Sequence, residues 1–164
     1  MLSLIETLLV LARDSETSEQ PIEQVNINQL LPPLIQQTNR THNADHHVTI
    51  TLKENAELEI AAPSQAVSIV IGNLLQNACN YTSEGDVIVE VSAGSVSVSD
   101  TGSGIAEDAL ERIQQPFQRS SDQVDGYGLG LDIVRRLCER FGWELTLESK
   151  VTQGTKVTVI YAKA

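Results

Sequence analysis

Three short groups of residues have the types and spacings that could do chemistry. Asn73, Asn77 and Asn80 recur at i, i+4 and i+7, which lines up three amides along one border of a helix. Asn is a mediocre helix former that prefers caps and turns, so such a line is unusual. Amide oxygens are hard, neutral ligands suited to Mg²⁺, a cation that keeps several waters and borrows oxygens from phosphates; the plain alternative is a solvated polar edge. Asp100-Thr101-Gly102-Ser103-Gly104-Ile105 sets a carboxylate at the end of an alternating apolar run, followed by two glycines. An ionised Asp only accepts hydrogen bonds, so it could take the exocyclic N–H of an adenine, and the glycines let a ligand approach the backbone. Asp and Gly are also ordinary turn residues. Gly126-Tyr127-Gly128-Leu129-Gly130-Leu131 leads into a helical pattern. A helix N-terminus offers unpaired N–H groups and partial positive charge, a site for phosphate.

Composition sharpens that expectation. The 164 residues carry 22 acidic and 11 basic side chains, a formal charge of −11. The basic residues are scattered, and counterion release at a nucleic acid needs them clustered, so nucleic acid is excluded as a partner. An acidic protein that holds an anion must use backbone N–H groups, a metal ion and one or two placed cations. Aromatics are only 4% of the chain, which leaves Leu, Ile, Val and Ala to build the core. Cys79 and Cys138 both fall inside apolar helical patterns and read as buried free thiols. No apolar run approaches the roughly 18 to 20 residues needed to span a bilayer. The opening stretch carries Glu6 among its apolar residues and lacks a basic start, so it reads as helix and not as a signal peptide.

The elements that must position these groups follow from periodicity. Leu4, Leu8 and Leu11 form one stripe and Leu2, Ile5, Leu9 and Ala12 a second, a face wide enough to need partners on more than one side. Residues 15–20 read as a polar linker. Ile22, Val25 and Ile27 suit a short strand, and Asn28 is placed to cap a helix from Gln29 to Asn39, with Pro32 and Pro33 in its first turn. Val48 to Leu52 alternates, and Leu58 to Ala61 is expected to pair with it. A helix is predicted from Ser64 to Tyr81. Strands Val87–Val91 and Val96–Val98 form a hairpin through Ala93-Gly94. Glu107 to Ile113 suits a short helix, Leu129 to Phe141 a longer one, and Glu144–Glu148 with Thr155–Tyr161 close the chain as strands. The predicted fold class is α+β, a two-layer sandwich of a mixed, mostly antiparallel sheet with helices on one face.

No dinucleotide fingerprint fits, since no strand feeds the glycine run, and Gly154-Thr155-Lys156 lacks the upstream glycine of a P-loop. Taken together the segments resemble the ATP-binding catalytic domain of bacterial sensor histidine kinases, within the superfamily that also holds gyrase and MutL. Asn73-Leu-Leu-Gln-Asn77-Ala-Cys-Asn80-Tyr81-Thr82 is similar to the family's N box, and Asp100-Thr-Gly102-Ser-Gly104-Ile105 to its G1 box. Pro116-Phe117-Gln-Arg119 is similar to the F box, Gly126 to Leu131 to the G2 box, and the run from Gly154-Thr155 to the final strand. The resemblance covers the chain from Pro21 onward, in order and at family spacing.

The resemblance implies ATP and Mg²⁺ as ligands. Asp100 would accept the adenine N6–H, Asn77 with Asn73 would hold Mg²⁺, and Tyr81 would pack near the base. Asn80, Gly102, Gly104 and Ile105 would line the site. Gly126, Tyr127, Gly128, Leu129, Gly130 and Leu131 would fold over the phosphates, Thr155 would line the adenine pocket, and Arg119 would meet the γ-phosphate. The family commonly carries Lys or Arg where Asn80 stands, and the lid from Phe117 to Gly126 is short; both weigh against tight triphosphate binding. The family's acceptor His-Glu-x-x-x-Pro motif does not occur here, and His42, His46 and His47 read as a surface loop. Leu4 to Arg13 resembles the end of a dimerisation helix. The implied division is therefore 1–14 dimerisation helix, 15–20 linker and 21–164 catalytic domain, with no catalytic nucleophile in this chain. Implied partners are the histidine-bearing dimerisation domain, a second copy in the parent protein and a response regulator. The implied location is the cytoplasmic side of an inner-membrane sensor. An anti-sigma-factor type of serine kinase and a degenerate interaction module share the boxes and remain as alternatives.

Overall fold

The computed structural model describes residues 21–42, 48–82, 84–102, 127–150 and 153–161, and for 42, 80–81, 127–132 and 150 the backbone only. Among them are three helices, α1 (Ile27–His42), α2 (Ser64–Tyr81) and α3 (Tyr127–Phe141). The seven strands are β1 (Glu23–Asn26), β2 (Val48–Glu54), β3 (Glu59–Ala62), β4 (Gly85–Ser92), β5 (Ser95–Asp100), β6 (Glu144–Lys150) and β7 (Gly154–Ile160). Five of them form one sheet in the order β2-β4-β5-β7-β6, and β1 and β3 form a separate two-stranded sheet. In the larger sheet β2 runs parallel to β4 and the other three pairings are antiparallel. The sheet is therefore mixed and mostly antiparallel, as the sequence predicts.

Alternation decides which sheet face is covered. Val87, Val89 and Val91 of β4, Val96 and Val98 of β5, and Val157 and Val159 of β7 are all buried. Their partners one residue out of phase are mostly Ser, Thr, Lys and Glu. Against the apolar face pack α2, through Val67, Val70, Ile71, Leu74 and Leu75, and α3, through Ile133, Val134 and Leu137. Fully burying one such side chain is worth about 1.5–3 kcal/mol, so this layer supplies most of the drive to fold. The turn at Ala93-Gly94 joins β4 to β5, with Gly94 at φ +83°, the left-handed backbone that a two-residue hairpin turn demands.

Three local expectations fail. The strand Glu59–Ala62 pairs with β1, register Val25 to Ile60, and not with β2. β2 instead takes the edge of the large sheet beside β4, where Val48 is buried and Ile50 and Leu52 pack against the core. Asn28 is not the cap. The helix begins at Ile27, and it is the Asn26 side-chain oxygen that accepts from Gln29 N–H at 3.1 Å. Asn28 Nδ2 donates to the Ala56 carbonyl at 3.0 Å and its Oδ1 accepts from Leu58 N–H at 2.9 Å, which fastens the β2–β3 connection to α1. Pro32 and Pro33 consequently sit in the second turn of α1, one turn later than expected.

Candidate functional site

β5 ends at Asp100 because two interactions turn the chain there. Thr101 N–H donates to the Asp86 carbonyl at 3.1 Å, and Asp86 N–H donates to the Thr101 hydroxyl at 3.0 Å. Alternation from Val96 and Val98 then places the Asp100 side chain on the covered face, where it is 8% exposed. Burial pushes its carboxyl above the ordinary aspartate value; hydrogen bonds from the Gly102 and Thr155 backbones pull it partly back. The Gly102 bond is 2.9 Å long and ends on Oδ1. A carboxylate buried there and only partly satisfied by amides is an acceptor prepared for a donor from a ligand.

Thr155 stands opposite Asp100 across the β5–β7 ladder and is 4% exposed. It can come so near because residue 154 is Gly: at φ +104° a Cβ there would run into the Asp100 carbonyl oxygen. Ser149 completes the corner. Its hydroxyl donates to the Gly154 carbonyl at 3.1 Å and lies 2.8 Å from the Thr155 hydroxyl. Asp100, Ser149, Gly154 and Thr155 share the lining of a cavity of about 600 Å³ at this strand end with Ser99, Glu148 and Lys156, which alternation sets on the other face of the sheet. A larger cavity of about 730 Å³ lies between α3 and β6, around Cys138, Trp143 and Leu145. It contains none of the residues that the sequence assigns to nucleotide or metal, so volume alone does not locate the site.

The amide line on α2 is half visible. Asn73 and Asn77 are buried at 8% and 7%, and the backbone places Asn80 and Tyr81 in the last turn of the same helix. Asn73 and Asn77 are therefore not a solvated edge. Asn73 Nδ2 donates to the Ile69 carbonyl one turn back at 2.7 Å, so its oxygen is the end left over. Among the described residues the Asn77 Nδ2 is buried without a partner, a state that costs about 1–3 kcal/mol unless an acceptor such as a phosphate oxygen relieves it. The Thr82 hydroxyl, at the end of the same helix, is buried and unmatched as well. Cys79, between the two halves of the line, feels Asp100: burial and then that carboxylate push its thiol up to about 11. This coupling ties the C-terminal half of α2 to the Asp100 end of β5. Among the described residues no group of three His, Cys, Asp or Glu could hold a metal by itself. Two neutral amides fit a hard cation that brings phosphate oxygens with it.

Tyr127, Gly128, Leu129, Gly130 and Leu131 form the opening turns of α3, so the glycine run is the helix start itself and not a loop before it. Gly104, Ile105, Arg119 and Gly126, the predicted F box and short helix, residues 1–20, His46 and His47 lie outside the described residues, and His42 is the last residue of α1. Ser149 and the role of Gly154 were missed by sequence reasoning. The signal was there: in Leu145-Thr-Leu147-Glu-Ser149 the alternation puts a hydroxyl on the apolar face.

Comparison with known proteins agrees with this geometry. Residues 62–164 match the family of histidine kinase-, DNA gyrase B- and HSP90-like ATPases. The sensor protein QseC of Salmonella typhi is 31% identical over 95% of this chain and 35% of its own length. The histidine protein kinase DivJ of Caulobacter vibrioides is 33% identical over 63% of this chain and 19% of its own. The chain thus spans about a third or less of these relatives. Among solved structures, full-length ShkA in complex with AMPPNP superposes with a TM-score of 0.77 at 28% identity, covering 99% of this chain and 36% of that one. The catalytic domain of the histidine kinase ThkA superposes at 0.68 with 24% identity, over 84% of this chain and 93% of that one, which shows the shared fold. A buried acceptor at a strand end, amides on the facing helix and a glycine-opened helix, in this fold and with these relatives, make the chain a member of the histidine kinase-, DNA gyrase B- and HSP90-like ATPase family.

Proposed function

We propose that this chain is the catalytic domain of a sensor histidine kinase, binding Mg-ATP and presenting the γ-phosphoryl group to a histidine on a dimerisation domain. The observation that carries the proposal is Asp100: a carboxylate buried on the apolar face and held by backbone amides, in a residue that helps to line a cavity at the strand end. Such a group matches the N6–H of adenine, a charge-assisted contact worth roughly 1.5–3 kcal/mol. Thr155 would line the base beside it, with Tyr81, Gly102, Gly104 and Ile105 around the nucleotide. Asn77, assisted by the Asn73 oxygen, would hold Mg²⁺, which supplies charge neutralisation along the triphosphate. The unpaired N–H groups at the start of α3, with Gly126, Gly128 and Gly130 permitting close approach, would receive phosphate oxygens. Arg119 would add the cation that an acidic chain otherwise lacks.

In this reading the domain positions and neutralises, as phosphoryl transfer chiefly requires, and supplies no covalent group. Residues 1–14 would be the end of the dimerisation helix, 15–20 the linker and 21–164 the catalytic domain. The phosphohistidine would pass its phosphoryl to a response regulator, within a dimeric membrane sensor whose catalytic part faces the cytoplasm. No described helix is long and apolar enough to cross a membrane. Calorimetric titration with a non-hydrolysable ATP analogue, with and without Mg²⁺, tests the reading. Magnesium-dependent binding supports it; no binding in either condition would remove nucleotide from the account.

A further inference from the structure

The corner formed by Ser149, Gly154 and Thr155 contains two short contacts and two hydroxyl protons. Ser149 Oγ lies 3.1 Å from the Gly154 carbonyl oxygen and 2.8 Å from Thr155 Oγ1. A carbonyl only accepts, so that contact is a hydrogen bond only when Ser149 spends its single proton on it. The contact to Thr155 is then a hydrogen bond only when Thr155 donates and Ser149 accepts. One arrangement satisfies both contacts, and it fixes the direction of the Thr155 hydroxyl: its proton faces Ser149 and its lone pairs are left for the cavity.

We infer that Ser149 is a specificity-determining positioning residue, which makes Thr155 an acceptor toward the bound base and thereby selects a 6-amino purine over a 6-oxo purine. This rests on the nucleotide reading given above. Thr155 is directly opposite Asp100, and both line the same cavity as Ser149. With Thr155 locked, that wall presents a carboxylate and a hydroxyl oxygen, both acceptors. The amino group of adenine has two protons to offer such a wall. The 6-oxygen of hypoxanthine or guanine would meet it lone pair to lone pair, leaving buried acceptors unmatched, which is the form of discrimination that polar sites do best. Ser149 reaches the base only through Thr155, so its contribution is to proton direction and not to contact.

The test is parallel titration of the chain with Mg-ATP and Mg-ITP, two ligands that differ at the purine 6-position and its adjoining ring proton, for wild type, Ser149→Ala and Ser149→Thr. In Ser149→Ala the Thr155 hydroxyl is free to rotate and donate to a 6-oxygen. ATP is expected to weaken by a few-fold at most while ITP holds or improves, so the ATP/ITP ratio narrows by about 5- to 10-fold, the worth of one hydrogen bond. Ser149→Thr keeps the hydroxyl and is expected to restore the ratio. Equal weakening of both ligands in Ser149→Ala, or an unchanged ratio in a variant with native circular dichroism, would overturn the inference and leave nucleotide binding intact. Failure of the wild type to bind ATP would overturn the nucleotide reading and this inference together.

Discussion

The two ends of the five-stranded sheet are built on opposite terms. At the Asp100 end, β5, β6 and β7 bring together a buried carboxylate, two hydroxyls and a positive-φ glycine, and α2 adds two buried amides. At the Gly94 end, Tyr161 N–H closes on the Gly94 carbonyl at 2.8 Å, and three rings fill the space. Phe141 stacks on Trp143 with centroids 5.0 Å apart, and Trp143 meets Tyr161 edge-on at 4.8 Å. Aromatic pairs of this kind add about 0.5–1.5 kcal/mol beyond their buried area. Among the described residues the Tyr161 hydroxyl is buried and unmatched at the ring end, and α2 brings the unmatched Asn77 amide and Thr82 hydroxyl to the other. Aromatic packing marks the ring end, whereas the unmatched Asn77 and Thr82 groups mark the other, where a ligand can meet them.

Breaking the ring end is expected to have the largest effect. Trp143 is 9% exposed and joins the end of α3 to the start of β6. Trp143→Ala should lower unfolding free energy by about 3–5 kcal/mol, the usual range for emptying a buried aromatic site. Urea denaturation measures this, and nucleotide affinity of the fraction that stays folded should be unchanged. A matching loss of affinity would mean the two ends are not separate. Gly154→Ala should come next, at about 2–3 kcal/mol, because the added methyl meets backbone, which cannot turn aside as a side chain can. Unlike Trp143→Ala it should damage stability and binding together, since the strand start it displaces carries Thr155.

Asp100→Asn separates the two properties. Affinity for the ATP analogue should fall by roughly 10- to 100-fold with the loss of a charge-assisted acceptor. Apo stability should hold or rise. The folded carboxyl sits above its ordinary value of 3.8, so the fold prefers it neutral. Its favourable contribution is fully present below pH 3.8 and is lost as pH rises through the raised value. The stability advantage of Asp100→Asn over wild type should therefore be present at neutral pH and vanish in acid. Binding has the opposite sign: wild-type affinity should fall as acidification protonates the acceptor. Paired thermal melts and titrations of both proteins across pH check the two slopes.

Much of this contrast is legible in the sequence, and its gaps have physical causes. The covered face is written in the alternation of β4, β5 and β7, and the α2 core stripe in its three- and four-residue spacing, because burial acts on every residue of those patterns. The partner of β3 is not so written. A four-residue strand such as Glu59–Ala62 carries too little pattern to choose between β1 and β2, and the choice is made by where α1 delivers the chain. Asn26 and Asn28 are both competent caps by type; which one caps depends on the Ala56 to Leu58 connection that Asn28 must hold. In the site, Asp100 and the amides are visible because their residue types are costly in their places. Ser149 is less so, since one hydroxyl on an apolar face gains its meaning only from the proton arithmetic with Gly154 and Thr155.

The smallest effect uses the two thiols as reporters of the two ends. Cys79 and Cys138 are both buried and free. Burial, assisted by Asp100, pushes Cys79 up to about 11; burial, assisted by Glu139, pushes Cys138 up to about 12. Both stay protonated at neutral pH and react only when the structure opens around them. Opening that exposes Cys79 must part α2 from Asp100 and so dismantle the candidate site, whereas opening around Cys138 can begin at the rings. A ligand bound to the intact site suppresses the first kind of opening by RT ln(1 + [L]/Kd), about 1.4 kcal/mol at ten times Kd. Mass-spectrometric alkylation rates should then fall about tenfold at Cys79 and change little at Cys138. Equal protection of both thiols would show that the ends open as one unit, and protection of Cys138 alone would place the ligand in the cavity between α3 and β6.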